Sequence, residues 1–137
     1  MTQAGLTKDA GWQIGVSKVV ERSAGAVWDF VTSAEGVAIW LGDGVDSLAD
    51  PGAGYETVAG VRGEVRSFRA LDRVRPTWQP PDWDHDTTVQ LTVRSAGDGR
   101  ATLRVHQERL ADADERERQR AHWRAVVTAL GAALTRT

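Results

Sequence analysis

The C-terminal stretch 112–134 constrains the fold more than any other part of this sequence. Its apolar side chains recur at steps of three and four residues, which places them on one side of an α-helix: Trp123, Val126, Val127, Leu130 and Leu134. Asp112 is a good N-cap, and Glu115 three positions later completes a capping-box pattern. The first turns are almost wholly charged and the last almost wholly apolar, so the helix must lie along another layer of the protein.

The chain before this helix contains segments typical of an antiparallel sheet. Alternation and turn residues predict strands over 12–20, 55–58, 61–70, 71–79, 87–94 and 101–109, with 45–48 as a further short edge strand. Gly97-Asp98-Gly99 is predicted to be a hairpin turn, and the pair Pro80-Pro81 requires a loop, because proline donates no ladder hydrogen bond.

Two short helices are predicted after the first strand. Ser23 caps a helix over 24–31, and the pattern Thr32-x-x-Glu35 is a capping box for a second helix that ends at Gly42. Strands joined by short turns, with helices gathered on one side, indicate an α+β domain. Its sheet has six or seven strands, and the C-terminal helix covers the concave side.

Length and composition limit the class of protein. The 137 residues predict one domain over 12–137, preceded by a flexible N-terminus over 1–11. There is no cysteine, hence no disulfide or thiolate metal site, and the net charge of −2 gives no long-range attraction for nucleic acid. No apolar run reaches the length of about 20 residues that spans a bilayer, and the N-terminus lacks a signal-peptide pattern. We therefore expect a cytoplasmic protein without membrane insertion.

Six tryptophans stand beside only two phenylalanines and one tyrosine. An indole has a large flat apolar face and an N–H that needs a partner when it is buried. The tryptophans either form an ordinary core or line a cavity with aromatic faces, and the composition allows both interpretations.

Glu64 is a candidate catalytic carboxylate. It lies within the predicted strand 61–70, where strict alternation places it on the same face as Arg66 and Phe68, opposite Val61 and Val65. If that face lines the interior, Glu64 is a buried carboxylate with a raised pKa; if it faces solvent, Glu64 is a partner in a cross-strand salt bridge. Both faces carry polar and apolar residues, so alternation leaves the choice open.

His85 is the second candidate, in the loop 82–86, where three aspartates and a tryptophan surround it. The loop is either a lid that carries an acid–base pair or a solvated loop with a local Asp–His contact. His106 is expected on the outer face of the sheet, and His122 at the edge of the helix's buried stripe. Metal-binding spacing, a phosphate-binding loop and a nucleophile elbow are all absent from the sequence, so we predict no metal and no cofactor.

Three segments carry a resemblance to a known family. They are the stretch ERSAGAVWDFVTSAEGVAIWLGD (21–43) after an opening strand, VRGEVRSFRALDRVRPTWQP (61–80), and HWRAVVTALGAAL (122–134) in the last helix. Together they resemble the SRPBCC superfamily of START and birch-pollen-allergen proteins, and within it the branch named after activators of the heat-shock protein 90 ATPase. The resemblance implies a helix-grip fold, with a cavity between the long helix and the sheet that can hold a lipid-like or aromatic molecule.

Three functions follow as hypotheses. The first is binding of a small hydrophobic or aromatic molecule in that cavity. Its walls would be formed by Trp28, Trp40, Trp78, Trp123, Val127 and Leu130, with Phe68 if its face is the inner one and with Trp83 on the loop at the mouth. The second is a cyclase- or hydratase-type enzyme that uses Glu64 or His85 in the same cavity, and the third is a co-chaperone-like protein-interaction domain or homodimer. An open cavity without ionisable groups favours binding, a perturbed carboxylate or histidine in it favours catalysis, and a filled cavity with an exposed apolar patch favours a protein partner.

Overall fold

A computed structural model describes residues 6–7 and 11–136 of the chain. The elements follow one another in this order: β1 (Leu6–Thr7), β2 (Gly11–Val20), α1 (Ala24–Val31), α2 (Ala34–Trp40), β3 (Gly54–Glu56), β4 (Arg62–Arg69), β5 (Arg73–Trp78), β6 (Thr87–Ser95), β7 (Ala101–Leu110) and α3 (Ala113–Arg136). Most of the segment that we expected to be flexible lies outside the described residues, but Leu6 and Thr7 pair with Trp12 and Gly11 of β2.

The strands form one antiparallel sheet in the order β1-β2-β7-β6-β5-β4-β3. α3 packs along β2 and β7, whereas α1 packs against β6 and β7 and contacts α3. This is the predicted α+β architecture, a helix-grip fold with a long C-terminal helix against a curved sheet. Seven strands form within the described residues, and the first of them is only two residues long.

The predicted stripe of α3 is buried against the sheet. Trp123 and Leu130 are fully buried, and Val126, Val127 and Leu134 retain less than a tenth of their exposure. Burying one such side chain completely stabilises the fold by roughly 1.5–3 kcal/mol. The N-terminal cap is confirmed, because Asp112 Oδ1 accepts a hydrogen bond from the Glu115 N–H at 2.7 Å. No helix in the described part of the chain is long and apolar enough to cross a membrane.

The caps of the two short helices differ in one respect from the sequence prediction. Ser23 caps α1 as predicted, but Ser33, rather than Thr32, caps α2 by accepting from the Gly36 N–H at 3.1 Å. The Thr32 hydroxyl instead donates to the Trp28 carbonyl oxygen at 2.7 Å and belongs to the end of α1. Only glycine fits at position 36, since a Cβ there would lie 1.9 Å from the carbonyl oxygen of Phe30.

A β-bulge in β4 changes the predicted alternation. Val65 pairs with Pro76 and Ser67 with Arg75, so β4 contains one residue more than its partner over this interval. Beyond the bulge the inward positions shift by one: Val65 is fully buried, and Phe68 is partly buried against the same core and packs on Trp28. The prediction that Glu64 and Phe68 share a face is therefore wrong.

The segment 45–48 does not form the predicted edge strand. Val45 and Leu48 are nevertheless buried, at 8% and 5% exposure, and both belong to the hydrophobic core. The predicted strand 55–58 is shorter than expected: β3 ends at Glu56, and Val58 is 82% exposed.

Candidate functional site

The predicted cavity walls form two aromatic groups inside the molecule. Trp78 lies between Trp83 and Trp123, with ring centroids 5.3 Å and 5.9 Å away. Trp28 of α1 and Phe68 of β4 form the second group, with ring centroids 5.5 Å apart. Val127 and Leu130 of α3 are buried in the same core, so side chains fill the interface between α3 and the sheet at these positions.

A buried hydrogen-bond network joins α3 to the sheet. Gln107 of β7 is fully buried, and its Oε1 accepts from Trp123 Nε1 at 2.7 Å and from Gln119 Nε2 at 3.1 Å. Gln107 Nε2 donates to the Thr87 hydroxyl at 2.8 Å, and this hydroxyl donates to the Trp78 carbonyl oxygen. Each of these polar groups has a partner, which is the condition for burying it without a large penalty.

Sequence reasoning missed this network, although the sequence contains a signal for it. Gln107 follows Leu103 and Val105 at the next inward position of β7, so a polar side chain falls on an apolar face. Gln119 lies one helical turn before Trp123 and is 7% exposed. A glutamine in each of two facing apolar patterns indicates a buried polar contact.

The loop between β5 and β6 covers one end of this interface. Trp83 packs edge-on against Trp78 and stacks on the ring of His85, with centroids 5.0 Å apart. Its carbonyl oxygen accepts from Gln79 Nε2 at 2.7 Å, which holds the loop against the end of β5. The loop is therefore ordered by specific contacts and packs over the aromatic group.

His85 links this loop to the first turn of α3. Its Nδ1 lies 3.0 Å from Asp84 Oδ1, and its Nε2 lies 3.0 Å from Glu115 Oε2. The same Glu115 oxygen accepts from the Ala111 N–H at 2.5 Å, and the residue is only 5% exposed. Donating a hydrogen bond to Asp84, and a further one to Glu115, raises the pKa of His85, although partial burial opposes the shift. The bond to His85 in turn lowers the pKa of Asp84.

Glu64 lies away from the interior. Its side chain is 46% exposed, its carboxylate forms an ion pair of 3.4 Å with Arg66, and its backbone N–H donates to the Thr77 hydroxyl. The structure thus places the two catalytic candidates, Glu64 and His85, apart: one lies on the solvent side of β4 and the other in the loop beside α3.

The other histidines take different positions. His106 lies on the outer face of β7, where its Nε2 is 2.7 Å from Gln13 Oε1, and burial is the main cause that lowers its pKa. His122 packs on Trp123 and Trp78 at the edge of the aromatic group. Among the residues that the structure describes, no group of three histidine, aspartate or glutamate side chains is placed to hold a metal ion.

A small cavity, here called the side cavity, lies between the two short helices and the β4–β5 end of the sheet. Its volume is about 170 Å³, and it is lined by Val31, Thr32, Trp40, Ser47, Leu48, Ala49, Phe68 and Val74. It reaches the surface beside the exposed residues Ser47 and Ala49. Two of the predicted wall residues, Trp40 and Phe68, line it, but it lies beside α1 and α2 rather than under α3.

Structures similar to this one come from several organisms. DynU16, a protein of the dynemicin biosynthetic locus, superposes with a TM-score of 0.79 at 23% identity, covering 90% of this chain and 47% of that one, so this chain spans about half of DynU16. CalU16 from Micromonospora echinospora gives 0.78 at 17% identity, covering 93% and 80% of the two chains. PFC0360w, an HSP90 activator from Plasmodium falciparum, gives 0.68 at 14% identity, covering 81% and 86%. At such identities the likeness establishes the fold alone.

The sequence itself matches one family over most of its length, whereas no curated protein sequence matches it. The matching profile is described as Activator of Hsp90 ATPase homolog 1-like protein and covers residues 21–135, from just before α1 to the last turn of α3. The resemblance inferred from the three sequence segments is thereby confirmed, and the chain belongs to the family of Activator of Hsp90 ATPase homolog 1-like proteins.

Proposed function

We propose that this protein binds a small apolar molecule, of the size of a single aromatic ring, in the side cavity. The observation that supports this most is the cavity itself, about 170 Å³ lined mainly by apolar and aromatic side chains within a close-packed core. Protein interiors contain few voids larger than a water molecule, so a cavity of this size is available for an occupant.

The volume limits the ligand. Sites for drug-sized molecules are roughly 300–1,000 Å³, whereas an apolar cavity of about 150 Å³ engineered in another protein binds benzene. A single ring therefore fits the side cavity, and a fatty acid or a polycyclic compound requires the surrounding side chains to move. Phe68 and Trp40 supply aromatic faces against which such a ring can pack.

The lining favours binding over acid–base catalysis. Its polar side-chain groups are the hydroxyls of Thr32 and Ser47 and the indole N–H of Trp40, which donates to the Val31 carbonyl oxygen at 2.8 Å; none of the lining residues is ionisable. The hydroxyl hydrogen of Thr32 is already donated to Trp28. Ser47 Oγ accepts from the Ala49 N–H at 3.1 Å, so its own O–H can donate to a ligand at the mouth of the cavity.

A ligand-observed NMR titration tests the proposal. The panel contains benzene, toluene and phenol as single rings, and a flavonoid and a fatty acid as larger molecules. We expect saturable binding of the single rings and weaker binding of the larger molecules. In a parallel fluorescence titration, the single rings should quench tryptophan emission through Trp40. Equal or tighter binding of the larger molecules would contradict the size limit.

Two variants locate the binding. Leu48→Phe places extra volume in the cavity wall and is expected to abolish the response. Val45→Ile adds volume to the same buried segment at a residue that does not line the cavity, so it serves as the matched control. If both variants bind as the parent protein does, the ligand occupies another place and the proposal fails.

A further inference from the structure

The outer face of the sheet carries a second feature, independent of the side cavity. A groove of about 430 Å³, here called the outer-face groove, is lined by Gln90, Thr92, Arg94, Thr102, Arg104 and His106. These residues alternate with the inward-facing ones of β6 and β7 and form three directly opposed pairs: Gln90 with His106, Thr92 with Arg104, and Arg94 with Thr102. All six side chains can donate hydrogen bonds, and none is a carboxylate.

The surroundings of the groove are positively charged. Arg73 lies directly across from Thr92 on the neighbouring strand β5, and Arg75 follows on the same face. Two nearby carboxylates are already bound, since Glu108 pairs with Arg75 and Asp72 with Arg94. In a chain whose net charge is −2, this part of the sheet therefore concentrates more guanidinium groups than carboxylates.

Two arginines in or beside the outer-face groove, Arg73 and Arg104, have no carboxylate partner among the described residues. Arg73 Nε is also buried without a hydrogen-bond partner, as is the hydroxyl of Ser67 on the adjoining strand β4. Neither of these two atoms lines the groove, so the cation that can meet a ligand there is Arg104.

The space around Arg104 depends on a glycine. Gly15 of β2 lies next to it, and a Cβ at that position would come within 2.5 Å of Arg104 Nη2. The missing side chain leaves room for the guanidinium to lie across the sheet, and Ser17, which pairs with Arg104, adds a further hydroxyl. The Arg104 side chain is exposed, and a planar guanidinium can bind two oxygens of an oxyanion at once.

We propose that the outer-face groove binds an oxyanion of the phosphate class, with the Arg104 guanidinium as its principal cation and the hydroxyls of Thr92 and Thr102 as further donors. A tetrahedral phosphate presents more acceptor oxygens than a carboxylate, so it can accept from both strands that line the groove, which lie about 4.8 Å apart. The groove is larger than one phosphate ion and leaves room for the organic part of a phosphate monoester.

The pKa of His106 should report whether an anion occupies the outer-face groove. Its ring faces Gln13 and Gln90, and the charged groups that act on it are Glu108, Arg104 and Arg75. Burial first, and then the two arginines, lower the pKa of His106, while Glu108 raises it. A bound anion offsets the arginines, so it should raise the pKa of His106.

The test is an amide NMR titration of the intact protein with inorganic phosphate and with methyl phosphate, each compared with sodium chloride at equal ionic strength. We expect saturable shifts in β6 and β7 and a rise in the pKa of His106. Arg104→Gln should weaken binding at least about tenfold. Arg118→Gln, on the exposed side of α3, should leave binding unchanged.

Three outcomes would overturn the proposal: shifts that do not saturate, shifts equal in sodium chloride, and equal binding by the Arg104→Gln variant. Sedimentation with phosphatidylcholine vesicles that contain phosphatidic acid distinguishes the source of the phosphate. Binding of both vesicles and soluble phosphate supports a lipid headgroup as the ligand, and binding of soluble phosphate alone supports a free metabolite. Binding of vesicles without soluble phosphate would contradict a site for one oxyanion.

Discussion

Trp123 Nε1 donates a hydrogen bond of 2.7 Å to Gln107 Oε1 in the buried interface between α3 and the sheet. Both residues are fully buried, and Gln107 connects the indole to Gln119 and to Thr87. The contact fixes how the long helix sits on the sheet, because a shift of α3 by one residue would break it. A buried polar network of this kind favours one packing arrangement over alternatives.

Gln107→Ala should therefore be strongly destabilising. The substitution leaves the indole N–H of Trp123 and the amide of Gln119 without their acceptor and also creates a cavity. We expect the free energy of unfolding in urea to fall by at least about 2 kcal/mol. Gln90→Ala, on the outer face of the adjacent strand, is the control and should cost less than about 1 kcal/mol. Equal losses for the two variants would show that the buried network does not stabilise the fold.

The His85 contacts predict a pH dependence for the loop between β5 and β6. The folded-state pKa of His85 is raised, so its ion pairs stabilise the fold fully below its usual pKa of about 6.5. That contribution is lost as the pH rises through the raised pKa. The pKa of Asp84 is lowered, so its contribution is lost as the pH falls through that lowered value. The contact between His85 and Asp84 is therefore an ion pair only between the lowered pKa of Asp84 and the raised pKa of His85.

An NMR titration of the histidine ring protons tests the cause of the shift. Asp84→Asn should bring the pKa of His85 back toward its usual value, since the hydrogen bond to Asp84 is the largest cause of the shift. Glu115→Gln should lower the pKa of His85 by a smaller amount. His106, on the outer face of the sheet, is the internal control and should titrate unchanged in both variants. An unchanged His85 in Asp84→Asn would refute the assigned cause.

The sequence predicted most of the fold because the fold depends on periodic burial. The stripe that includes Trp123 and Leu130 and the alternation of Leu103 and Val105 both require one face to be buried, and the structure buries them. Capping was predicted less well: Thr32 and Ser33 are adjacent hydroxyls, and only the backbone conformation decides which of them caps α2.

The position of the cavity could not be predicted in this way. Periodicity tells which side chains point inward, but not whether they fill the space that they share. Trp78 and Trp123 pack on each other, whereas Trp40 and Phe68 border a void. The bulge in β4 did have a signal, Pro76, because a proline inside a strand removes a ladder donor and is usually found at an edge or a bulge.

Because of the bulge in β4, substitutions of Phe68 and Glu64 should have different effects on stability. Phe68→Ala removes a ring that packs on Trp28, and we expect a loss of about 2–4 kcal/mol in the free energy of unfolding. Glu64→Ala removes only an exposed ion pair with Arg66, so it should change stability by less than about 1 kcal/mol. Urea unfolding of both variants provides the comparison. A larger loss for Glu64→Ala would mean that the inward positions of β4 do not shift at the bulge.

Leu71 should be a site where the protein can be stabilised. It lies in the turn between β4 and β5 with a φ of 62°, in the left-handed region that an ordinary L-residue adopts at a cost of roughly 1–2 kcal/mol, and its side chain is 63% exposed. Asparagine tolerates this conformation better, so Leu71→Asn should raise the free energy of unfolding by about 1 kcal/mol and the melting temperature by a few degrees. Leu71→Ala is the control, because it removes the exposed apolar side chain but keeps the steric cost of the Cβ. Calorimetric melting of the three proteins distinguishes the two effects: if the alanine and asparagine variants melt together, the gain comes from the lost apolar surface and not from the backbone.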